Sequence, residues 1–206
     1  MDSAFLISAF VTLFVVMDPI GLTPVFIALT SGATARHRRA VALRACAIAA
    51  ALLCLFAFFG EQVLGFIGIS MPAFRIAGGI LLFLTALDML FERRTRRREN
   101  TAEAEEDFPD PSVFPLAIPL LAGPGAITSV ILLMGQADDA TGIVSVLGVM
   151  LGVLLIALAF FLMAGVIERA LGKTGITVVT RLLGMLLAAL SVQFVLDGLR
   201  AVGVVG

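Results

Sequence analysis

The chain has 206 residues, 60% of them hydrophobic and 14% charged, with a net charge of −1 and a mean hydropathy of +1.11. A soluble domain of this size has no core large enough to hide so much apolar sequence, and a near-neutral chain carries no electrostatic footprint for nucleic acid. Stretches of about 20 apolar residues span a bilayer, and the chain has room for about six of them.

In chain order, Met1-Asp2-Ser3 puts no basic residue ahead of the first apolar run. It lacks the charged start of a cleavable signal peptide, so the run reads as a retained first membrane helix. Apolar length and punctuation place that helix at about 4–30, broken at Asp18-Pro19 and carrying Pro24. A short polar loop with Arg36, His37, Arg38 and Arg39 follows, then helix two at about 40–60, a turn from Gly60 to Ser70, and helix three from Pro72 to Phe91. The strongly hydrophilic stretch at about 93–112 starts with Arg93, Arg94, Arg96, Arg97 and Arg98. It then turns acidic through Glu99, Glu103, Glu105, Glu106, Asp107 and Asp110, and reads as a solvated linker. Helices four, five and six are expected at about 113–135, 142–167 and 177–200.

The second half repeats the punctuation of the first. Val16-Met17-Asp18-Pro19-Ile20-Gly21-Leu22-Thr23-Pro24-Val25 has its counterpart in Leu121-Ala122-Gly123-Pro124-Gly125-Ala126-Ile127-Thr128-Ser129-Val130. Aligning Pro19 with Pro124 also aligns Thr23 with Thr128. At similar distances further on stand Arg75-x-x-Gly78 and Arg181-x-x-Gly184. With helix joints one–two, three–four and five–six in the cytoplasm, every Lys and Arg except Arg75 and Arg200 falls in those loops or their flanks. The opposing loops carry Glu61, Asp138 and Asp139. Positive-inside bias then places both termini outside the cytoplasm, and three helices per unit invert the second unit. The expected fold is an all-α membrane protein of six transmembrane helices in two inverted three-helix repeats, with helices 1 and 4 broken. The repeats span 1–92 and 113–206, joined by the cytoplasmic linker 93–112.

A proline inside a helix removes a hydrogen bond, glycine beside it loosens the backbone, and lipid cannot satisfy the freed groups. Asp18, Pro19, Gly21, Thr23 and Pro24, with Gly123, Pro124, Gly125 and Thr128, are therefore the candidate substrate- and ion-binding residues. A half-helix N-terminus suits a carboxylate, the opposite broken end offers carbonyls to an ammonium group or cation, and a zwitterion matches both. Kinks that only shape packing are the alternative. Asp18 is an intramembrane carboxylate, which suggests function by default. It can bind an ammonium group, carry a coupling proton, or simply cap the half-helix that begins at Pro19. Gly123 stands in its place in the second half. Arg75 and Arg181 open helices three and six as gating or structural residues, with snorkelling as the plainer reading. Gln193 is expected to bond another helix, and Gly148-x-x-x-Gly152 offers a seam within the bundle or between two copies.

Cys46 and Cys54, eight positions apart in one helix, are too far for a bridge within it and read as packing residues. Trp and Tyr are absent, so an aromatic belt falls to the 16 Phe or is omitted. His37 lies in a basic loop. No metal-spaced cluster, P-loop or nucleophile motif points to an enzyme, to a metal or to another cofactor.

Asp18-Pro19-Ile20-Gly21-Leu22-Thr23-Pro24-Val25-Phe26, Phe74-Arg75-Ile76-Ala77-Gly78-Gly79 and Pro115-Leu116-Ala117-Ile118-Pro119-Leu120-Leu121-Ala122-Gly123-Pro124-Gly125-Ala126-Ile127 resemble the corresponding stretches of the MarC family. These are six-helix bacterial and archaeal membrane proteins grouped with the LysE-type exporter superfamily. The resemblance covers nearly the whole chain. It implies transport of small neutral amino acids such as glycine or alanine, with Asp18 through Pro24 and Gly123 through Thr128 lining the central pathway. The expectation is a secondary transporter of the bacterial inner membrane, coupled to a proton or sodium, with lipid, the solute and a second copy of itself as possible partners. An exporter of another metabolite or drug, and a non-transporting structural membrane protein, stand as alternatives.

Overall fold

The computed structural model describes residues 3–91, 110–137 and 139–204. The charged linker therefore lies outside the described residues except at its end, and so does Asp138. The described chain is built of helices: α1 (Ser3–Met17), α2 (Pro19–Leu29), α3 (Ala35–Ile67), α4 (Met71–Leu90), α5 (Ser112–Leu121, a coiled segment interrupted at Phe114 and Ile118), α6 (Pro124–Met134), α7 (Ala140–Leu162) and α8 (Ala164–Ala201). Among the described residues, five stretches are long and apolar enough to cross a bilayer: Ser3–Leu29, Ala35–Ile67, Met71–Leu90, Ala140–Leu162 and Thr174–Ala201. The α5–α6 pair, bent by 54°, makes a sixth if it is taken as one span.

Short polar side chains set most of the helix starts. Thr34, Ser70 and Asp139 each accept a hydrogen bond from the amide three residues on, at His37, Ala73 and Gly142, which satisfies one of the amides a helix leaves open. Several boundaries differ from the sequence expectation. Arg36 to Arg39 form the first turn of α3 rather than a loop, because Thr34 caps ahead of them. At its other end α3 runs past Gly60 and stops at Gly68, whose φ of 84° ends the helix with Ile69 N–H bonded to the Leu64 carbonyl. Gly60 is a packing glycine: a side chain there would start 2.5 Å from Ile131 Cγ1 of α6. The 33 residues of α3 extend about 50 Å at 1.5 Å each, beyond the hydrocarbon core. The fifth expected helix also ends early, at Leu162. Its tail belongs to α8, which turns at Gly172 (φ 62°, ψ 173°) before its long arm.

Small residues carry the close packing. On α3 the buried stripe Ala42, Ala45, Ala49, Leu53, Ala57, Gly60 and Leu64 follows helical spacing, and the helix packs against α5, α6 and α7. The most extensive contact joins α4 to α8, which run antiparallel. Side chains would start 3.0 Å from the Pro72 carbonyl at Gly198, 2.8 Å from the Ser191 carbonyl at Gly79, and 3.3 Å from the Ala86 carbonyl at Gly184. Three glycine notches thus bring backbone against backbone, the way membrane helices associate without a hydrophobic drive. Gly148 and Gly152 face no other helix, so that seam is not used inside the bundle. Gln193 bonds Asp197 one turn further along its own helix, not a neighbour. Large apolar side chains stay exposed on every long span, Phe59, Leu84, Leu155 and Leu182 among them, as a lipid-facing surface requires. Exposed Phe66 and Phe91 stand near the ends of α3 and α4.

Contacts across the chain pair helices in a regular way. α3 packs on α5 and α6, α7 packs on α1 and α2, α4 packs on α6, and α8 packs on α2. α3 meets α7, as α4 meets α8. Outside these contacts, Arg44 of α3 is bridged to Asp110 just before α5. The Ser112 hydroxyl, bonded to the same carboxylate, leads in holding it below the ordinary 3.8.

The notches make a direct prediction. Gly79→Ala puts a methyl against the Ser191 carbonyl and is expected to cost about 1–3 kcal/mol, read as a lower melting temperature in detergent. Gly148→Ala meets nothing within 4 Å and is expected to hold or slightly raise it, since alanine is the better helix former.

Candidate functional site

Asp18 is the hinge of the first break. It sits in the left-handed region (φ 50°, ψ 62°), a conformation Asp tolerates better than most residues. It is fully buried, and its Oδ1 accepts from the Gly21 amide at 3.0 Å, capping α2. Pro19 at the first position of α2 has no amide to offer Val15, and Pro24 has none for Ile20. Thr23, also buried, donates its hydroxyl to the Pro19 carbonyl at 3.0 Å. Gly21 is needed for the cap: a side chain there would start 2.1 Å from Asp18 Oδ2. The capping role weighed from sequence is therefore present, and Asp18 and Gly21 form one unit.

The second break is built differently. Phe114 (φ −128°, ψ 127°) and Ile118 (φ −126°, ψ 124°) are extended inside α5. Each precedes a proline, whose ring disfavours the helical region for the residue before it. The peptide bonds into Pro115 and Pro119 are cis. Around each extended residue the chain closes on a five-residue bond, Leu116 N–H to the Pro111 carbonyl across Phe114 and Ala122 N–H to the Ala117 carbonyl across Ile118. Gly123 is buried, and a side chain there would start 2.3 Å from the Pro119 carbonyl, so only glycine fits. No side chain caps α6. Ser129, at the place of Pro24, donates to the Gly125 carbonyl at 2.8 Å.

The structure brings the two breaks together. A side chain at Gly125 would start 3.0 Å from Val16 Cγ1, two residues before Asp18, and 3.4 Å from Leu82 of α4. Thr128 packs its methyl over Gly78, whose Cβ would start 2.4 Å away. The Arg75-x-x-Gly78 motif thus seats the second broken helix. Its counterpart does another job: Gly184 packs against Ala86 and Met89 of α4, and Arg181 lies exposed on α8. Pro124 is exposed as well. Arg75 is half-buried in the second turn of α4, and its Nε is buried without a hydrogen-bond partner among the described residues. Thr12 Oγ1 and Thr180 Oγ1 share that condition. These two threonines, with Leu82 and Thr85 beside Gly125, fall outside the sequence motifs. A lone hydroxyl in an apolar run was the available signal for Thr12 and Thr85.

The cap separates structure from chemistry at Asp18. Asn accepts the same amide bond and tolerates the same backbone, so Asp18→Asn is expected to melt close to the native protein. Asp18→Ala loses the cap and is expected to cost about 1–2 kcal/mol. Gly21→Ala, which displaces the carboxylate, is expected to fall at least as far. Melting curves of the three variants in one detergent check the order.

The chain matches the MarC family of integral membrane proteins over residues 3–202. It is 40% identical to UPF0056 membrane protein MJ1677 of Methanocaldococcus jannaschii, covering 97% of this chain and 98% of that one. It is 35% identical to UPF0056 membrane protein YvbG of Bacillus subtilis, with 96% and 95% covered. UPF0056 inner membrane protein YhgN of Escherichia coli is 34% identical, with 95% and 96% covered. No solved structure matches the fold. With its apolar spans, its two breaks in contact and a match along nearly its whole length, the chain is a multi-pass membrane protein that belongs to the MarC family.

Proposed function

We propose that the protein is a secondary transporter of a small solute, working by alternating access around the contact between the two helix breaks. The observation that carries this reading is the placement of a buried carboxylate, Asp18, at a break that lies against a second break, from the other half of the chain. Broken helices at mid-span, one from each half, are how secondary transporters make a site inside lipid. The helix pairing supports the inverted-repeat reading. Exchanging α1–α2 with α5–α6, α3 with α7 and α4 with α8 turns the α3–α5, α3–α6 and α4–α6 contacts into α7–α1, α7–α2 and α8–α2, and returns α3–α7 and α4–α8 to themselves; the α1–α6 and α1–α8 contacts have no counterpart of similar extent. Buried polar atoms without partners among the described residues, at Thr12, Arg75 and Thr180, invite water or solute, since lipid offers no bonds.

The solute class we propose is a small neutral amino acid, with glycine and alanine as the first candidates. The half-helix N-terminus at Pro124 has no side-chain cap, so its amides can meet a carboxylate. Asp18 binds the ammonium group or carries the coupling proton; sodium is the other coupling ion the broken ends can hold. In this reading the protein needs no cofactor and performs no covalent chemistry. Its place is the inner membrane, the location in the printed name of its Escherichia coli relative, with both termini outside the cytoplasm by the distribution of Lys and Arg. Export of another metabolite is the second reading, since the same break geometry suits any small zwitterion or cation.

Counterflow of labelled alanine and glycine in liposomes containing the purified protein tests the proposal. Saturable exchange is expected from the native chain, and Asp18→Asn is expected to lower it at least tenfold while the protein stays folded. Flat traces from folded, inserted native protein would remove the amino-acid assignment. Full proton-coupled flux through Asp18→Asn would remove Asp18 from the mechanism.

A further inference from the structure

Three side chains meet at the end of the bundle that holds the basic start of α3. Phe26 of α2 and Phe161 of α7 stack with ring centroids 4.7 Å apart and planes within 12°. Both are almost wholly buried, at 1% and 2%. The Arg38 guanidinium, in the first turn of α3, lies over the Phe26 ring, 5.7 Å from its centroid. This is cation–π range, and the ring face is the negative side of an aromatic quadrupole. The Thr30 hydroxyl, bonded to the Phe26 carbonyl at 2.7 Å, secures the end of the helix that carries the ring.

The position of the stack gives it a consequence. Phe26 belongs to the first half of the chain and Phe161 to the second, so the stack ties the halves to each other. Phe26 lies eight residues beyond the Asp18 hinge and two beyond Pro24. Its helix therefore hangs from a left-handed residue and contains a proline that withholds one backbone bond. Phe161 precedes the joint at Met163 where α7 gives way to α8. Both rings thus ride on segments that can change direction close by, while the glycine-notched α4–α8 pair offers no such freedom. Arg38 gains from the ring a partner that its location withholds: a cation in the first turn of a helix opposes the helix dipole.

We infer that the Arg38–Phe26–Phe161 stack is a gate. It closes the route from the basic end of the bundle to the helix breaks, and it opens when α2 swings about Asp18 and separates the two rings. This rests on the transport reading, but it predicts a motion that can be measured without any solute.

Leu22 is the natural reporter. It is fully buried one helical turn deeper than Phe26 on the same face of α2. In a background with Cys46→Ala and Cys54→Ala, a Leu22→Cys variant is treated with a membrane-impermeant maleimide added to one face of vesicles or the other. Arg38→Gln and Phe161→Leu are each expected to raise the labelling rate about tenfold, for reagent added from the Arg38 side only. Arg38→Lys, which keeps the cation over the ring, is expected to restore the slow rate. Unchanged labelling in both variants, with native melting curves, would overturn the gate. An equal rise from both faces would also overturn it, because it reports general loosening. Flux measured on the same vesicles separates the two readings. Flux with an unresponsive reporter removes the gate and keeps transport; a one-sided response without flux keeps the gate and removes the proposed solute.

Discussion

A proline in the middle of a membrane helix leaves a carbonyl without its amide, and hydrocarbon has nothing to give in exchange. Much of the arrangement around the centre of this protein answers that constraint. At the first break, an aspartate in the left-handed region turns the chain and caps the next helix. The Thr23 hydroxyl adds a bond to the Pro19 carbonyl. At the second break, two prolines force extended residues into the approach and longer-range bonds hold the coil together. One break keeps a carboxylate inside the bundle, and the other has a helix start that no side chain caps. The two are neighbours, with Gly125 of the second break against Val16 of the first.

Stiffness is distributed unevenly around this centre. The α4–α8 pair is locked by glycines on both helices, with carbonyls of one chain segment against the notch of the other. The small-residue face of α3 receives the second broken helix almost as closely, at Gly60 and Ile131. By contrast α2 packs on α7 and α8 through side chains, with a capped hinge at its start and an aromatic stack towards its end. A short helix with a hinge at its start and a proline within it is suited to move as a lever. The long glycine-notched pair is suited to serve as the frame it moves against.

Several features were legible in the sequence for stated physical reasons. Asp-Pro-x-Gly marks a helix start, so the first break fell at Asp18. Gly123-Pro124 did the same for the second. The extended residues before Pro115 and Pro119 are also local in origin, since a proline restricts its predecessor, although apolar length alone makes the arm before Gly123 read as regular helix. Gly60 misled because a glycine in an apolar run signals a turn or a close neighbour equally well. Only Ile131, more than seventy positions away, distinguishes the two. A polar residue in an apolar helix reads as a link to another helix, but Gln193 finds its acceptor, Asp197, four residues on in its own helix.

Composition and punctuation thus determined that the chain lives in a bilayer, where its helices fall, and where two of them break. These follow from local rules: apolar length, the missing amide of proline, and the small set of residues that cap. Tertiary structure alone decided which break leans on which, that Thr128 seats on Gly78, that the glycines of α4 and α8 each receive the backbone of the other helix, and that Arg38 covers Phe26. Those facts depend on contacts between residues far apart in the chain. No periodicity within one helix reports which neighbour fills the space beside it.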